Sequence, residues 1–386
     1  MGWTLTDDLE EFLARADGFL REDPVVNTVA LTVTEDLRRQ GARLYGTTLF
    51  GWWTDAGRID GTFLWTGSYP PLLSAMPERA ARDLAHALAA HGEPVPRVAG
   101  EPTTARAFAE TWTNGTVPSG NTHPPTAPTS DTTSTTTAPG TTTADSATSG
   151  ADGGADSADG SVGADGSVGA DGSVGADGSV GVTSAGGAVG RTVAAAGRSG
   201  DGTGGATSAG GAVGRTVAAA ERGANGAGRV MERQRLYRLG RLDVPDPPPE
   251  GAARVAGGAD RALVLDWFAA FDRESFGDGD VNRTAVEGKL GDGRVTLWEV
   301  AGRPVAVAGR TPMVAGMTRV APVYTPPEHR RRGYAAAVTA AVTRAALDAG
   351  AADVVLFTDL ANPTSNGVYL RLGYRPVEDR VVLDLT

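Results

Sequence analysis

The chain has 386 residues and a formal net charge of -11, a surplus of acid that argues against general affinity for nucleic acid. It contains no cysteine, which excludes disulfides and thiol catalysis, and its four histidines (His86, His91, His123 and His329) have no spacing suited to a metal, so none is expected. No apolar run reaches the roughly 18 residues of a membrane span, and the acidic N-terminus lacks a signal-peptide pattern, so a cytoplasmic protein away from the membrane is expected.

Residues 1–114 have the patterning of a folded α+β unit. Leu9, Phe12, Leu13, Ala16, Phe19 and Leu20 repeat at a helical period, which predicts a helix over Leu5–Arg21 with Thr6 as its N-cap. Leu49–Thr54 and Arg58–Trp65 are aromatic-rich runs around Asp55-Ala56-Gly57, a hairpin signal, and Trp52, Trp53 and Trp65 are expected in the core. Pro77 opens a helix that runs to His91 before Gly92, and Thr103–Trp112 predicts another.

Composition then changes. From 115 to 229 the chain is Thr, Ser, Gly, Ala, Asp and Pro, with copies of Ala-Asp-Gly-Ser-Val-Gly starting at Ala158, Ala164, Ala170 and Ala176. Ordering costs roughly 1–2 kcal/mol per residue, and this stretch has almost no large apolar side chain to offset it, so it reads as a disordered insertion. The hexads resemble a left-handed β-helix repeat, but four of them would make little more than one coil.

Order resumes with the alternating run Met231–Leu242, read as an edge strand. Having no sheet of its own before the Pro-rich joint Val244–Pro249, residues 230–243 are expected to return and complete the 1–114 domain. A final domain, 251–386, has strands at Arg254, Val295–Val300, Pro304–Thr311, Gly316–Tyr324 and Asp353–Thr358, with terminal strands near Tyr374 and Val381. Its helices are expected at Ala259–Asp272, Val281–Leu290, Gly333–Ala349 and Asn366–Leu372, with Asn366 as an N-cap. Asp278-Gly279-Asp280-Val281-Asn282 begins like a calcium loop, but Arg283 and Lys289 stand where Gly and Glu are required.

The chemistry concentrates between Val323 and Ala335, where a strand breaks at Pro326-Pro327 and a helix restarts at Gly333. Free N–H groups of a first helical turn and the helix dipole favour an anion such as phosphate. Gly333 permits close approach, and Arg330, Arg331 and Arg332 add charge-assisted donors. Arg330-x-x-Gly333-x-Ala335, followed by Asn362 seven residues before Tyr369 and then by Gly373-Tyr374, resembles the motifs of the GNAT superfamily of acyl-CoA-dependent N-acyltransferases.

That resemblance covers roughly the last third of the chain. It implies an α+β fold in which a GNAT-like mixed sheet flanked by helices follows a second α+β domain carrying the low-complexity insertion. It further implies that backbone N–H groups from Arg330 to Ala335, Tyr334 included, hold the pyrophosphate of acetyl-CoA, that Val323 and Thr325 pair with its pantetheine arm, and that Asn362 helps to hold that arm. Tyr369 is implied as the general acid that protonates the leaving thiolate. Asp359 and Glu299 are the candidate bases by position, and Glu328 lies too close to the phosphate loop. The expected activity is acetyl transfer to a primary amine of a small molecule or a protein; a non-catalytic CoA sensor or scaffold is the alternative. The N-terminal domain resembles a degenerate half of the same fold and lacks the phosphate loop.

Overall fold

Alternation of apolar and polar residues gives each strand two usable faces, and both are covered by helices. The computed structural model describes residues 1–41, 46–67, 69–115, 228–275 and 281–386; the insertion from 116 to 227 and Asp278–Asp280 of the calcium-like stretch lie outside the described residues. Among the described residues no helix is long and apolar enough to cross a membrane.

The N-terminal half runs β1 (Gly2–Thr6), α1 (Leu9–Glu22), α2 (Thr28–Gln40), β2 (Thr48–Asp55), β3 (Arg58–Thr66), β4 (Leu72–Leu73), α3 (Glu78–His91), β5 (Arg97–Gly100), α4 (Pro102–Asn114) and β6 (Arg229–Leu239). The C-terminal half runs β7 (Ala252–Val255), α5 (Arg261–Ser275), α6 (Arg283–Gly291), β8 (Val295–Val300), β9 (Arg303–Arg310), β10 (Met317–Tyr324), α7 (Tyr334–Asp348), β11 (Asp353–Asp359), α8 (Pro363–Arg371) and β12 (Tyr374–Asp384). The two orders are identical, element for element. The N-terminal half is thus a second copy of the architecture of the C-terminal half.

All strands form one sheet in the order β1-β2-β3-β4-β5-β12-β6-β11-β10-β9-β8-β7. Each half therefore ends in a strand that joins the other: β12 pairs with β5, and β6 pairs with β11. The two exchanged strands pair antiparallel with each other at the centre. This corrects two expectations. The Met231 strand is no edge strand, and it completes the sheet of the C-terminal half, because both of its neighbours, β11 and β12, come from there. Its burial explains the choice: Leu236 and Tyr237 are fully buried on opposite faces, which an edge facing water would not provide.

Local chemistry moves other boundaries. Leu5 lies in β1, and α1 is capped by Asp8, whose Oδ1 accepts from the N–H of Glu10 at 2.8 Å, while Thr6 binds Glu11. Helix α2 is hidden in the sequence by its β-branched Thr and Val residues. Thr32 and Thr34 donate to the carbonyls of Thr28 and Ala30, so their hydroxyls are satisfied within the helix. The hairpin expected at Asp55 is present, with Ala56 and Gly57 at positive φ. The terminal strands expected near Tyr374 and Val381 are one strand, β12, with two register shifts.

Helices α1, α2, α5 and α6 lie on one face and α3, α4, α7 and α8 on the other. On the first face α2 reaches across the seam: Thr28 donates to Met317 on β10. There buried Asp36, Lys289 and Arg319 form a charge cluster with half-buried Arg294. Lys289 is the only lysine in the chain. Burial, with help from Arg294, pushes its ammonium down to about 8 from an ordinary 10.5.

Between those two values the unfolded chain holds a proton that the folded chain has released. Unfolding free energy should therefore rise with pH across that window, by about 3 kcal/mol. Lys289→Met should abolish the rise and add stability of that order at neutral pH, as read from urea unfolding at pH 7 and pH 10.

Candidate active site

The feature that defines the site is where two strands stop pairing. Strand β10 runs parallel to β11 only through Met317, Thr318 and Arg319, opposite Asp353, Val354 and Val355. Beyond that point Val323 and Tyr324 pair with β9 alone, and Leu356–Asp359 pair with β6 alone. A wedge opens between the two strands, and the backbone groups that line it have no strand partner across it. A register shift between Val320 and Val323 on the β9 side bends β10 at the same level.

The wedge leads to the N-terminus of α7. Gly333 caps that helix in the left-handed region, with φ 84°, and Arg331 also has positive φ at 61°. Among the described residues the backbone N–H groups from Arg331 to Ala336 donate to no protein acceptor. Successive free N–H groups at a helix start form a concave anion site. Thr325, at the end of β10, buries an Oγ1 without a partner among the described residues. Tyr334 is buried and anchors the first turn of α7 in the core, while Ala335 is half-buried beside it.

The arginines differ in role. Arg330 donates through Nε to the Thr325 carbonyl at 2.9 Å and through Nη2 to Glu274 at 2.6 Å, and it lies over the ring of Tyr324. It therefore braces the loop. Arg331 and Arg332 are exposed and carry no ion pair among the described residues, which leaves two unpaired cations beside the N-terminus of α7.

At the far side of the wedge, Tyr369 on α8 packs its ring 6.2 Å from that of Tyr374. Its hydroxyl has no hydrogen-bond partner among the described residues, and burial pushes its pKa up to about 12. Asn362, and not Asn366, is the N-cap of α8: its Oδ1 accepts from the N–H of Ser365 at 3.0 Å, leaving only Nδ2 for a ligand. Asn366 sits inside the helix and acts as a clasp. It donates to the carbonyls of Asp359 and Asn362 and accepts from the hydroxyl of Tyr237 on β6 at 2.8 Å. Sequence reasoning missed that clasp because Tyr237 belongs to the exchanged strand.

The candidate bases separate. Glu299 is held by Arg254 at 2.8 Å on an outer strand. Asp359 is exposed and accepts from the N–H of Ala361 at 2.8 Å, closing the turn after β11. Glu232 on β6, overlooked in the sequence, lies on the same sheet face two residues from Gln234, the register partner of Asp359.

Residues 306–383 match the family model described as FR47-like protein, which is a GNAT-family model. This GNAT-family match lies wholly within the C-terminal half. The chain is also similar to a GCN5-related N-acetyltransferase from Kribbella flavida, with 30% identity, 40% of this chain and 58% of that one covered, and a TM-score of 0.32. A GCN5-related N-acetyltransferase from Sphaerobacter thermophilus is 21% identical over 40% of this chain and 51% of that one, with a TM-score of 0.34. These matches thus span little more than half of either relative. An acetyltransferase from the GNAT family of Colwellia psychrerythraea covers 100% of this chain and 99% of its own, at 8% identity and a TM-score of 0.45. A search of curated proteins finds no match.

The N-terminal half shares the element order of the C-terminal half but differs from it at the equivalent place. Helix α3 starts with Glu78, which repels an anion, and is preceded by Pro77 without an arginine loop. A Cβ on Gly100 of β5 would stand only 3.3 Å from the Cβ of Leu73 on β4. The space that is open between β10 and β11 is closed there.

Proposed function

We propose that the chain is an N-acetyltransferase that moves the acetyl group of acetyl-CoA to a primary amine by direct attack. The observation that carries this reading is the wedge between β10 and β11 that ends on the free N–H groups of α7. A diphosphate on Arg331–Ala336 would leave its pantetheine arm lying along β10, next to Val323 and Thr325. Asn362 flanks the same arm from the other side.

In this mechanism the amine lone pair attacks the thioester carbonyl carbon, and the C–S bond breaks with its electron pair on sulfur. Tyr369 gives its proton to that sulfur. Its raised pKa keeps the phenol protonated at neutral pH, so an O–H donor stands ready for the sulfur as the C–S bond breaks. The closed N-terminal half then serves the reaction through the strand and helix it lends.

Tyr369→Phe should lower kcat by about 100-fold with acetyl-CoA affinity unchanged, as read by thiol release and calorimetry. Acetyl-CoA binding without turnover of any amine by the natural chain would instead favour a CoA-sensing or scaffolding module. A small-molecule amine or a protein amine would be the acceptor, in the cytoplasm and without a metal.

A further inference from the structure

We infer that Glu232, carried into the GNAT domain on the exchanged strand of the other half, is the base that takes the proton of the acceptor amine. The inference rests on the acetyltransferase reading and deepens it. Register places the residue. Gln234 pairs with both Asp359 on β11 and Arg380 on β12, so Glu232 stands on that same face, just beyond the C-terminal end of β11, the end at which the wedge opens along that strand's other edge. The Gln234 side chain donates to Glu232 Oε1 at 2.7 Å and fixes the carboxylate.

Among the described residues no cation pairs with Glu232. On β12, Arg380 is committed to Glu378 at 2.7 Å, to the Val26 carbonyl and to the ring of Phe357. On β11, Asp359 is a second carboxylate and is tied into its turn. Burial, seconded by Asp359, pushes Glu232 up to about 7, so near neutral pH it exchanges a proton readily. Asp359 itself is exposed and already accepts a backbone hydrogen bond, which makes it the poorer base.

The proton balance closes. An ammonium N–H bond breaks, its proton passes to Glu232, and the freed lone pair forms the C–N bond. As the C–S bond breaks, sulfur takes the proton of Tyr369. The second nitrogen proton returns to the phenolate, and Glu232 releases its own to solvent.

The test compares natural chain, Glu232→Gln and Asp359→Asn across pH 5.5–9, with acetyl-CoA and spermidine, phenethylamine or alanine amide. Thiol release is followed with the fastest of these amines, or with water if none reacts, and acetyl-CoA binding is measured by calorimetry. The natural chain should gain activity through about pH 7. Glu232→Gln should lose at least about 100-fold in kcat and lose that limb, with acetyl-CoA affinity unchanged. Asp359→Asn should keep the limb. A Glu232→Gln protein that stays within about threefold of the natural rate, or keeps the same limb, overturns the inference. Absence of acetyl-CoA binding by the natural chain would overturn the acetyltransferase reading itself, and the base assignment with it.

Discussion

Gly333→Glu is expected to abolish measurable binding of acetyl-CoA while leaving the fold in place. The position has φ 84°, where any Cβ costs about 1–2 kcal/mol of strain. Its surroundings have room for a Cβ, the nearest atom being Pro249 Cβ at 3.6 Å, so the chain can still fold. The carboxylate, however, would project from the nest of N–H groups between Arg331 and Ala336 and repel the diphosphate meant to occupy it. Strain and repulsion together should cost about 4 kcal/mol, roughly a thousandfold in Kd. Gly333→Ala, which brings strain without charge, should cost about tenfold. Calorimetry with both variants separates the two terms, and equal losses would argue against an anion in the nest.

The second large effect concerns the exchanged strand. Residues 244–386 expressed alone should fail to give soluble, cooperatively unfolding protein, although they contain every motif of the GNAT domain. Without β6, strand β11 has no neighbour for Leu356–Asp359, and β12 loses the strand that spans nearly its whole length. Leu236 and Tyr237 would vanish from the cores on both faces, each worth about 1.5–3 kcal/mol of burial, and Asn366 would lose its clasp. Co-expression with residues 1–243 should restore soluble protein and acetyl-CoA binding. A stable, acetyl-CoA-binding fragment without β6 would show the exchange to be dispensable.

Much of this architecture was legible in local chemistry. The strand–loop–helix junction could be read because strand, proline break, glycine and helix are consecutive residues between Met317 and Tyr334. The Asp55 hairpin and the Gly92 helix stop were equally local. Helix α2 was lost because its Thr and Val residues favour strand by propensity, and only packing on Met317 and Val355 overrules that preference. The cap of α8 was misplaced by one helical turn because Asn362 and Asn366 are equivalent until the fold supplies Tyr237 to one of them.

The sequence by itself determined the strand–loop–helix junction at Gly333, the α+β class and the lack of any cysteine, since each depends on residue types at short spacing. Only the tertiary structure decided that the halves trade their last strands. The alternation of Met231–Leu242 suits any sheet equally well, and what selects a partner is the pair of cores that bury Leu236 and Tyr237. Glu232 followed from that choice. Its charge is visible in the chain, but its place beside Asp359 exists only once β6 lies between β11 and β12.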